Sequence, residues 1–246
     1  MDIKMLETDV DISALNAMGP QELLRHAAET YGDRAAIGTS LQKTGTVMID
    51  MVHKLALPLR VFFIDTLLNH DETYELLEEI QDRYGMTVER FSPSPEAIES
   101  LNKSVGQYAH FLARPTCCQV RKAGPLQNAL STLDVWISGL RADQSEHRRK
   151  DASKAGWTHV QKDRPILKLN PLLDWSGDDV DRYIAENNVP YNKLYDYVSP
   201  YGEKYNVIGC TMCHIPVREG FDPRMGKFPW EQSKKECGLH DHGGGI

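Results

Sequence analysis

Short apolar runs alternate with longer segments of helical periodicity along most of this chain, and no other feature restricts the fold as much. Residues 35–38, 59–64 and 87–91 have the length and composition of buried strands. Strands that alternate with helices of ten or more residues form a mostly parallel sheet with helices on both faces, so we predict an α/β fold. The further predicted strands are 135–140 and 166–169, and the predicted helices are 21–31, 46–55, 71–84, 95–105, 125–133 and 176–186.

The alternation is absent at both ends of the chain. The first twenty residues mix acids with scattered apolar residues, which indicates a loose arm or a packing helix. From about residue 188 onward Pro, Tyr, Gly and Cys dominate, so we expect this stretch to fold over the sheet edge. We therefore divide the chain into an α/β domain over 1–205, which includes the arm, and a C-terminal segment over 206–246.

Composition and charge limit the classes of function. A chain of 246 residues with 41% hydrophobic content can bury a core without disulfides, and it has no apolar run of the length that crosses a membrane. The N-terminus lacks a secretory signal and the cysteine count is odd, so we expect a protein of the reducing cytoplasm. A net charge of −7 argues against nucleic acid as a partner. Basic residues crowd the middle of the chain, which favours a local pocket for a small anion.

A polar turn follows the first predicted strand. Residues 40–45 supply Ser40, Lys43 and a glycine where a helix begins, and free amides at a helix start attract phosphate or sulfate oxygens. The turn is not a Walker A motif, which requires Gly-Lys-Ser or Gly-Lys-Thr. Taken alone, this segment indicates ordinary turn chemistry.

Four of the five cysteines form two pairs that suit one metal centre. Cys117 and Cys118 are adjacent, and a disulfide between neighbours strains the peptide that joins them. Cys210 and Cys213 form a Cys-x-x-Cys motif, but a structural zinc site usually has that motif at both ends. The pattern therefore favours an iron–sulfur cluster over zinc. The alternative is that the adjacent pair is simply buried and only the second pair binds anything.

The fifth cysteine stands alone near the C-terminus. Cys237 follows Lys234 and Lys235 and precedes His240 by three residues. Nearby positive charge lowers the pKa of a thiol and raises its thiolate fraction, which suits a nucleophile. The alternative is an exposed cysteine without a function.

Five motifs in order resemble the assimilatory sulfonucleotide reductases, specifically the iron–sulfur type that reduces adenylyl sulfate. They cover roughly residues 30–240. The adjacent cysteines precede Arg121-Lys122, the Cys-x-x-Cys motif follows some ninety residues later, and the terminal motif is Glu-Cys-Gly-Leu-His. Residues 72–74, Glu-Thr-Tyr, and residues 139–145, a Gly-x-Arg-x-x-Gln-Ser segment, are similar to family motifs as well.

The resemblance implies a fold, a cofactor and a mechanism. The fold would be of the adenine-nucleotide alpha-hydrolase type, with AMP along the strand ends and the sulfate near the tail, and the cofactor would be a 4Fe-4S cluster. Cys237 would attack the sulfur of adenylyl sulfate and expel AMP, and reduced thioredoxin or a similar reductant would then release sulfite. The cluster would tune the field at the substrate through Lys122. The implied metal ligands are Cys117, Cys118, Cys210 and Cys213, the implied catalytic residues are Cys237 and His240, and the implied substrate-binding residues are Ser40, Lys122, Arg141, Arg224 and Lys227.

Several functions besides this one are compatible with the sequence. The chain departs from the family pattern at the turn 40–45, at Leu67 and at Lys227, which bears on the nucleotide contacts. The nearest alternative is a reductase for 3′-phosphoadenylyl sulfate or for both nucleotides, although members restricted to that substrate usually lack the two cysteine pairs. A non-catalytic nucleotide-binding or zinc-stabilised module would also fit parts of the pattern, as would a sulfur-inserting ligase. The sequence does not distinguish a monomer from a homo-oligomer.

Overall fold

The computed structural model describes residues 10–160 and 164–231. Its centre is a six-stranded sheet with the strand order β3-β2-β1-β4-β6-β5, in which every neighbouring pair is parallel except β5 with β6. The predicted α/β class with a mostly parallel sheet is confirmed. The strands are β1 Ala35–Thr39, β2 Arg60–Ile64, β3 Val88–Phe91, β4 Val135–Ser138, β5 Ala155–Val160 and β6 Arg164–Leu169.

Helices join the strands and cover both faces of the sheet. Within the described ranges, no helix combines the length and the apolar character needed to cross a bilayer. The helices are α1 Ile12–Ala17, α2 Pro20–Tyr31, α3 Lys43–Lys54, α4 Asp71–Tyr84, α5 Pro95–Val105, α6 Ala109–Leu112, α7 Arg114–Cys118, α8 Gly124–Leu130, α9 Glu146–Asp151 and α10 Gly177–Asn187.

The strands bury alternate residues in two separate cores. On one face, Ile37, Phe63 and Ile137 pack against apolar residues of α2, α3, α4 and α10. On the other face, Phe62 and Trp136 pack against α8. Each fully buried large apolar side chain contributes about 1.5–3 kcal/mol, so the two cores together hold the sheet rigid beneath the loops at its edges.

The antiparallel edge strand β5 was not predicted from the sequence. Its residues 155–160 combine Gly, Trp, Thr and His and lack the apolar run of the central strands. The strand forms because it pairs with β6 along its whole length and because Asn16 of α1 accepts a hydrogen bond from the Ala155 amide at 3.1 Å. Tertiary contacts therefore determine this strand more than its own composition does.

The chain beyond α10 contains little regular structure. It forms 3-10 turns at Lys193–Asp196 and Pro223–Gly226 and a short antiparallel pair of strands, β7 Glu203–Lys204 and β8 Val217–Arg218. We call residues 199–231 the cover, because they lie against the loops at the strand ends. The division of the chain at residue 205 stays a prediction.

Candidate active site

A cleft of about 830 Å³ lies at the carboxyl ends of β1 and β4. The chain passes from β1 to β2 and β3 on one side and later places β4 on the other, so the strand order reverses between β1 and β4. Open α/β sheets bind ligands at this kind of reversal. The five residues that the resemblance assigned to substrate all line the cleft, namely Ser40, Lys122, Arg141, Arg224 and Lys227.

Two glycines allow the floor of the cleft to pack closely. A Cβ atom at position 45 would lie 2.1 Å from Thr39 Oγ1, and one at position 139 would lie 2.6 Å from Thr44 Oγ1. The first turn of α3 therefore presses directly against the ends of β1 and β4. Because Gln42 at the N-cap makes no side-chain hydrogen bond to the helix, the first amides of α3 are not capped by that residue.

Helix α3 begins three residues earlier than the sequence predicted. Lys43 therefore lies in the first helical turn instead of in a polar turn. Its ammonium forms an ion pair with Asp181 of α10 at 2.7 Å and lies 4.7 Å from the centre of the Tyr195 ring. These contacts fix Lys43 at the wall of the cleft.

Arg141 enters the cleft directly after β4. Asp143 accepts from its guanidinium at 2.9 and 3.2 Å, and the same carboxylate accepts from the Gly177 amide at 2.8 Å. The arginine is thus tied to the start of α10. Arg224 reaches the same loop from the cover, where its Nη1 donates to the carbonyl oxygen of Gln144 at 3.2 Å.

Lys122, Lys227 and His214 form one side of the cleft. Lys227 and His214 are buried, and all three side chains line the cavity. Burial, and then the charges of Lys122 and Lys227, lower the pKa of His214 to about 3, so its imidazole is neutral at pH 7. Sequence reasoning missed His214. Gly209 leaves room for the ring, since a Cβ atom at that position would lie 2.3 Å from the imidazole Cε1.

The four paired cysteines lie in one region beside this side of the cleft. Burial raises the pKa of Cys117. The charge of Arg121 opposes this rise, and the neighbouring Cys210 adds to it. The hydrogen bond to Cys210, together with burial and with Cys118, raises the pKa of Cys213 as well. The thiol of Cys210 also lies 3.3 Å from Thr66 Oγ1. None of the four is in a disulfide.

The donors of this region are four thiols, the ligand type that holds an iron–sulfur cluster. Among residues 10–160 and 164–231, no group of three His, Cys, Asp or Glu side chains is arranged to hold a metal ion. Arg121 and Lys122 beside the sulfurs would offset the charge of four thiolates.

The segment that leads toward the C-terminus is anchored beside the cysteines. Arg114 of α7 forms an ion pair with Glu231 and lies 4.4 Å from the centre of the Phe228 ring, and it also hydrogen-bonds Cys118. The predicted nucleophile Cys237 and its neighbour His240 lie outside the described residues.

Comparison with known proteins identifies the family. A family model described as the phosphoadenosine phosphosulfate reductase domain matches residues 34–216, and the chain belongs to this family. The chain is 36% identical over 222 residues to adenosine 5′-phosphosulfate reductase 2 of Bacillus subtilis, a match that covers 89% of this chain and 88% of the relative. It is also 36% identical to adenosine 5′-phosphosulfate reductase of Allochromatium vinosum, over 85% of this chain and 79% of the relative.

Solved structures agree with this assignment. A phosphoadenylyl-sulfate reductase of Candida auris in complex with phosphate is 29% identical, with a TM-score of 0.67 over 81% of this chain and 94% of that one. An FMN adenylyltransferase of Candida glabrata, 13% identical with a TM-score of 0.54 over 93% of this chain and 78% of that one, shares the fold alone. The resemblance to the sulfonucleotide reductases is confirmed, as is the prediction of an enzyme that is an oxidoreductase.

Proposed function

We propose that this chain reduces adenylyl sulfate to sulfite and AMP, with thioredoxin or a similar dithiol protein as the reductant. The observation that carries the proposal is the single cleft into which Lys122, Arg141, Arg224 and Lys227 converge. A phosphosulfate group carries negative charge on both its phosphate and its sulfate, and cations must offset that charge before an anionic thiolate can approach. The relatives named adenosine 5′-phosphosulfate reductase support the same substrate.

The reaction would proceed in two balanced steps. The Cys237 thiolate attacks the sulfur of adenylyl sulfate, an S–S bond forms, the bond from sulfur to the phosphate oxygen breaks, and AMP leaves with the electron pair. A thiolate of the reductant then attacks the Cys237 sulfur, and sulfite leaves with the electron pair of the S–S bond. The second thiol of the reductant resolves the resulting mixed disulfide, so that the dithiol supplies two electrons and Cys237 returns to the thiol state.

In this proposal, different residues of the cleft bind different parts of the substrate. Arg141 and Arg224 bind the phosphate oxygens, since planar guanidinium groups suit phosphate. Lys122 and Lys227 lie toward the cysteines and offset charge on the sulfuryl oxygens, and His240 would approach the same oxygens from the tail. Ser40, exposed beside the start of α3, would contact the nucleotide.

We further propose that Cys117, Cys118, Cys210 and Cys213 hold a 4Fe-4S cluster. When bound, the cluster would alter the electrostatic field at Lys122. The support is the burial of three of these thiols and the proximity of all four to one another and to Arg121 and Lys122. Analysis of iron and acid-labile sulfide in protein purified without oxygen tests this. Four irons per chain are expected, and a colourless, zinc-containing protein would contradict the proposed cluster.

Location in the cytoplasm is part of the same proposal.

A reductase for 3′-phosphoadenylyl sulfate is the second candidate, because the Candida auris structure carries that name. Rates of sulfite release with the two nucleotides at equal concentration distinguish the candidates. We expect adenylyl sulfate to react faster, and a strong preference for the phosphorylated nucleotide would reverse the assignment.

Mass spectrometry tests the mechanism itself. The full chain is incubated with adenylyl sulfate in the absence of reductant, and a sulfonate adduct is expected on Cys237. The Cys237→Ser variant should form no adduct and release no sulfite. Retained turnover in that variant would remove the mechanism.

A further inference from the structure

Three arginines from separate segments meet around the side chain and backbone of Gln144. The side-chain oxygen Oε1 accepts from the backbone amide of Arg141 at 3.2 Å and from Nη1 of Arg148. The backbone oxygen of Gln144 accepts from Nη1 of Arg224 at 3.2 Å. All four residues line the cleft. Gln144 therefore connects the loop after β4, the first helical turns of α9 and the cover.

Local structure fixes Gln144 in this place. It ends the 3-10 turn Ala142–Gln144, and its side chain closes that turn onto Arg141. The next residue, Ser145, caps α9 by accepting from the Arg148 amide at 3.2 Å. The acceptor Gln144 is held by the 3-10 turn, and the donor Arg148 is held by the capped start of α9. The Arg148 guanidinium is therefore preorganised before any ligand arrives.

The neutrality of Gln144 matters for what the arginines can bind. The amide oxygen of Gln144 accepts from the Arg148 guanidinium without cancelling its charge, whereas a carboxylate at this position would cancel part of it. The Arg224 guanidinium donates to the neutral backbone oxygen of the same residue. This arrangement suits an anion with several oxygens, because guanidinium groups bind phosphate and sulfate through paired hydrogen bonds.

We propose that Gln144 is a positioning residue for an anion-binding triad of Arg141, Arg148 and Arg224, with Arg148 as a further substrate-binding cation. Its side chain fixes the Arg148 guanidinium and the Arg141 backbone, and its backbone oxygen fixes the Arg224 guanidinium. That the bound anion is the phosphosulfate end of the nucleotide rests on the proposed function. The triad itself requires only a nucleotide with a charged 5′ end.

Calorimetric binding of AMP and of adenosine to the full chain tests the triad without turnover. In Gln144→Met and in Arg148→Ala, the dissociation constant for AMP should rise about tenfold or more, as expected for the loss of a charged hydrogen bond. The constant for adenosine should stay within about twofold, because adenosine carries no charge for the triad to bind. Gln144→Glu should also weaken AMP binding, since its carboxylate cancels positive charge.

The neighbouring residue supplies the matched control. Arg149 is exposed and does not line the cleft, so Arg149→Ala should bind AMP like the wild type. Unchanged AMP binding in Arg148→Ala, a parallel loss of adenosine binding in Gln144→Met, or wild-type AMP binding in Gln144→Glu would overturn the proposal. If Gln144→Met does not fold, the comparison of AMP binding in Arg148→Ala and in Arg149→Ala still tests the proposal. A wild-type chain that binds AMP through the triad and releases no sulfite would refute the proposed function and leave the triad intact.

Discussion

The sheet and the cover bury their residues by different means. The sheet encloses aliphatic and aromatic side chains between layers of helix, and its strands hydrogen-bond to one another. The cover has few regular backbone pairs, and its apolar cluster consists of Cys210, Cys213 and Phe228, with Leu68 and Trp230 packed against it. It also buries His214 and Lys227, which are polar or charged.

This difference separates the cleft residues that the sheet positions from those that the cover positions. The sheet is stabilised by apolar area and needs no ligand to hold its shape. The cover buries a lysine and a histidine as well, and polar or charged groups are costly to remove from water unless they have a partner. The residues that line the cleft from the sheet side are therefore set by the fold, whereas those from the cover depend on the contacts around the cysteines.

The largest expected effects come from the same substitution in the two regions. Phe63 and Phe228 are both fully buried, the first in the sheet and the second in the cover. Phe63→Ala should lower the free energy of global unfolding by about 3–5 kcal/mol, because the packed sheet cannot close the cavity. Phe228→Ala should instead release the cover, with loss of amide protection over residues 203–228, and should shift the global transition much less.

Urea denaturation and amide hydrogen exchange measured on both variants test this contrast. Purified wild type measured at the same pH is the reference. An equal loss of global stability in the two variants would mean that sheet and cover unfold as one unit.

The same contrast explains what the sequence could predict. Helices α4 and α5 begin and end at the predicted residues, since an αL glycine follows α4 at Gly85 and Ser94 with Pro95 begins α5. The start of α3 was placed too late, because residues 43–45 are polar and small and do not show a helical pattern. Local chemistry decides the first two helices and tertiary packing decides the third.

The candidate site was predicted unevenly for a related reason. Motifs in the sequence indicated Arg141 and Arg224 but not that both would reach Gln144, since the contact joins loops 80 residues apart. His214 was missed because its neutrality arises from burial and from two lysines that only the fold brings near it. Residues whose role depends on contacts between the sheet and the cover carry no local pattern.

Lys168 is a charged exception inside the sheet, and its removal is expected to have the next largest effect. It lies on β6 with its ammonium 4.5 Å from the centre of the Trp136 ring. Burial, and then the charge of Arg148, lower its pKa from 10.5 to about 8. The unfolded chain therefore holds the proton of Lys168 more tightly than the folded chain does. Lys168 consequently lowers the free energy of unfolding at neutral pH. This loss of stability is relieved as pH rises from 8 to 10.5.

Lys168→Met keeps the apolar stem and removes the charge. It should raise the free energy of unfolding by about 1–2 kcal/mol at pH 7. Urea denaturation at pH 7 and at pH 10 measures the difference between variant and wild type, which should shrink at the higher pH. A difference that is the same at both pH values would show that packing, and not the proton, accounts for the change.

The smallest expected effect concerns Leu67, in the loop that joins β2 to α4. Leu67 has φ +56° and is 48% exposed. A left-handed backbone costs a residue with a Cβ atom about 1–2 kcal/mol, and glycine removes that cost but gains freedom in the unfolded chain. Leu67→Gly should therefore stabilise the protein by about 0.5 kcal/mol.

Leu41 provides the matched control for that substitution, because it has the same φ of +56° but is buried in the core between the sheet and its helices. Leu41→Gly relieves the same backbone cost and loses the burial of a leucine side chain, so it should destabilise the protein by about 2 kcal/mol or more. Thermal unfolding of the two variants under one buffer condition gives both values. If both substitutions stabilise the protein, the burial of the Leu41 side chain contributes less free energy than the left-handed backbone costs. If both destabilise by similar amounts, the side chain of Leu67 contributes about as much to stability as the buried side chain of Leu41.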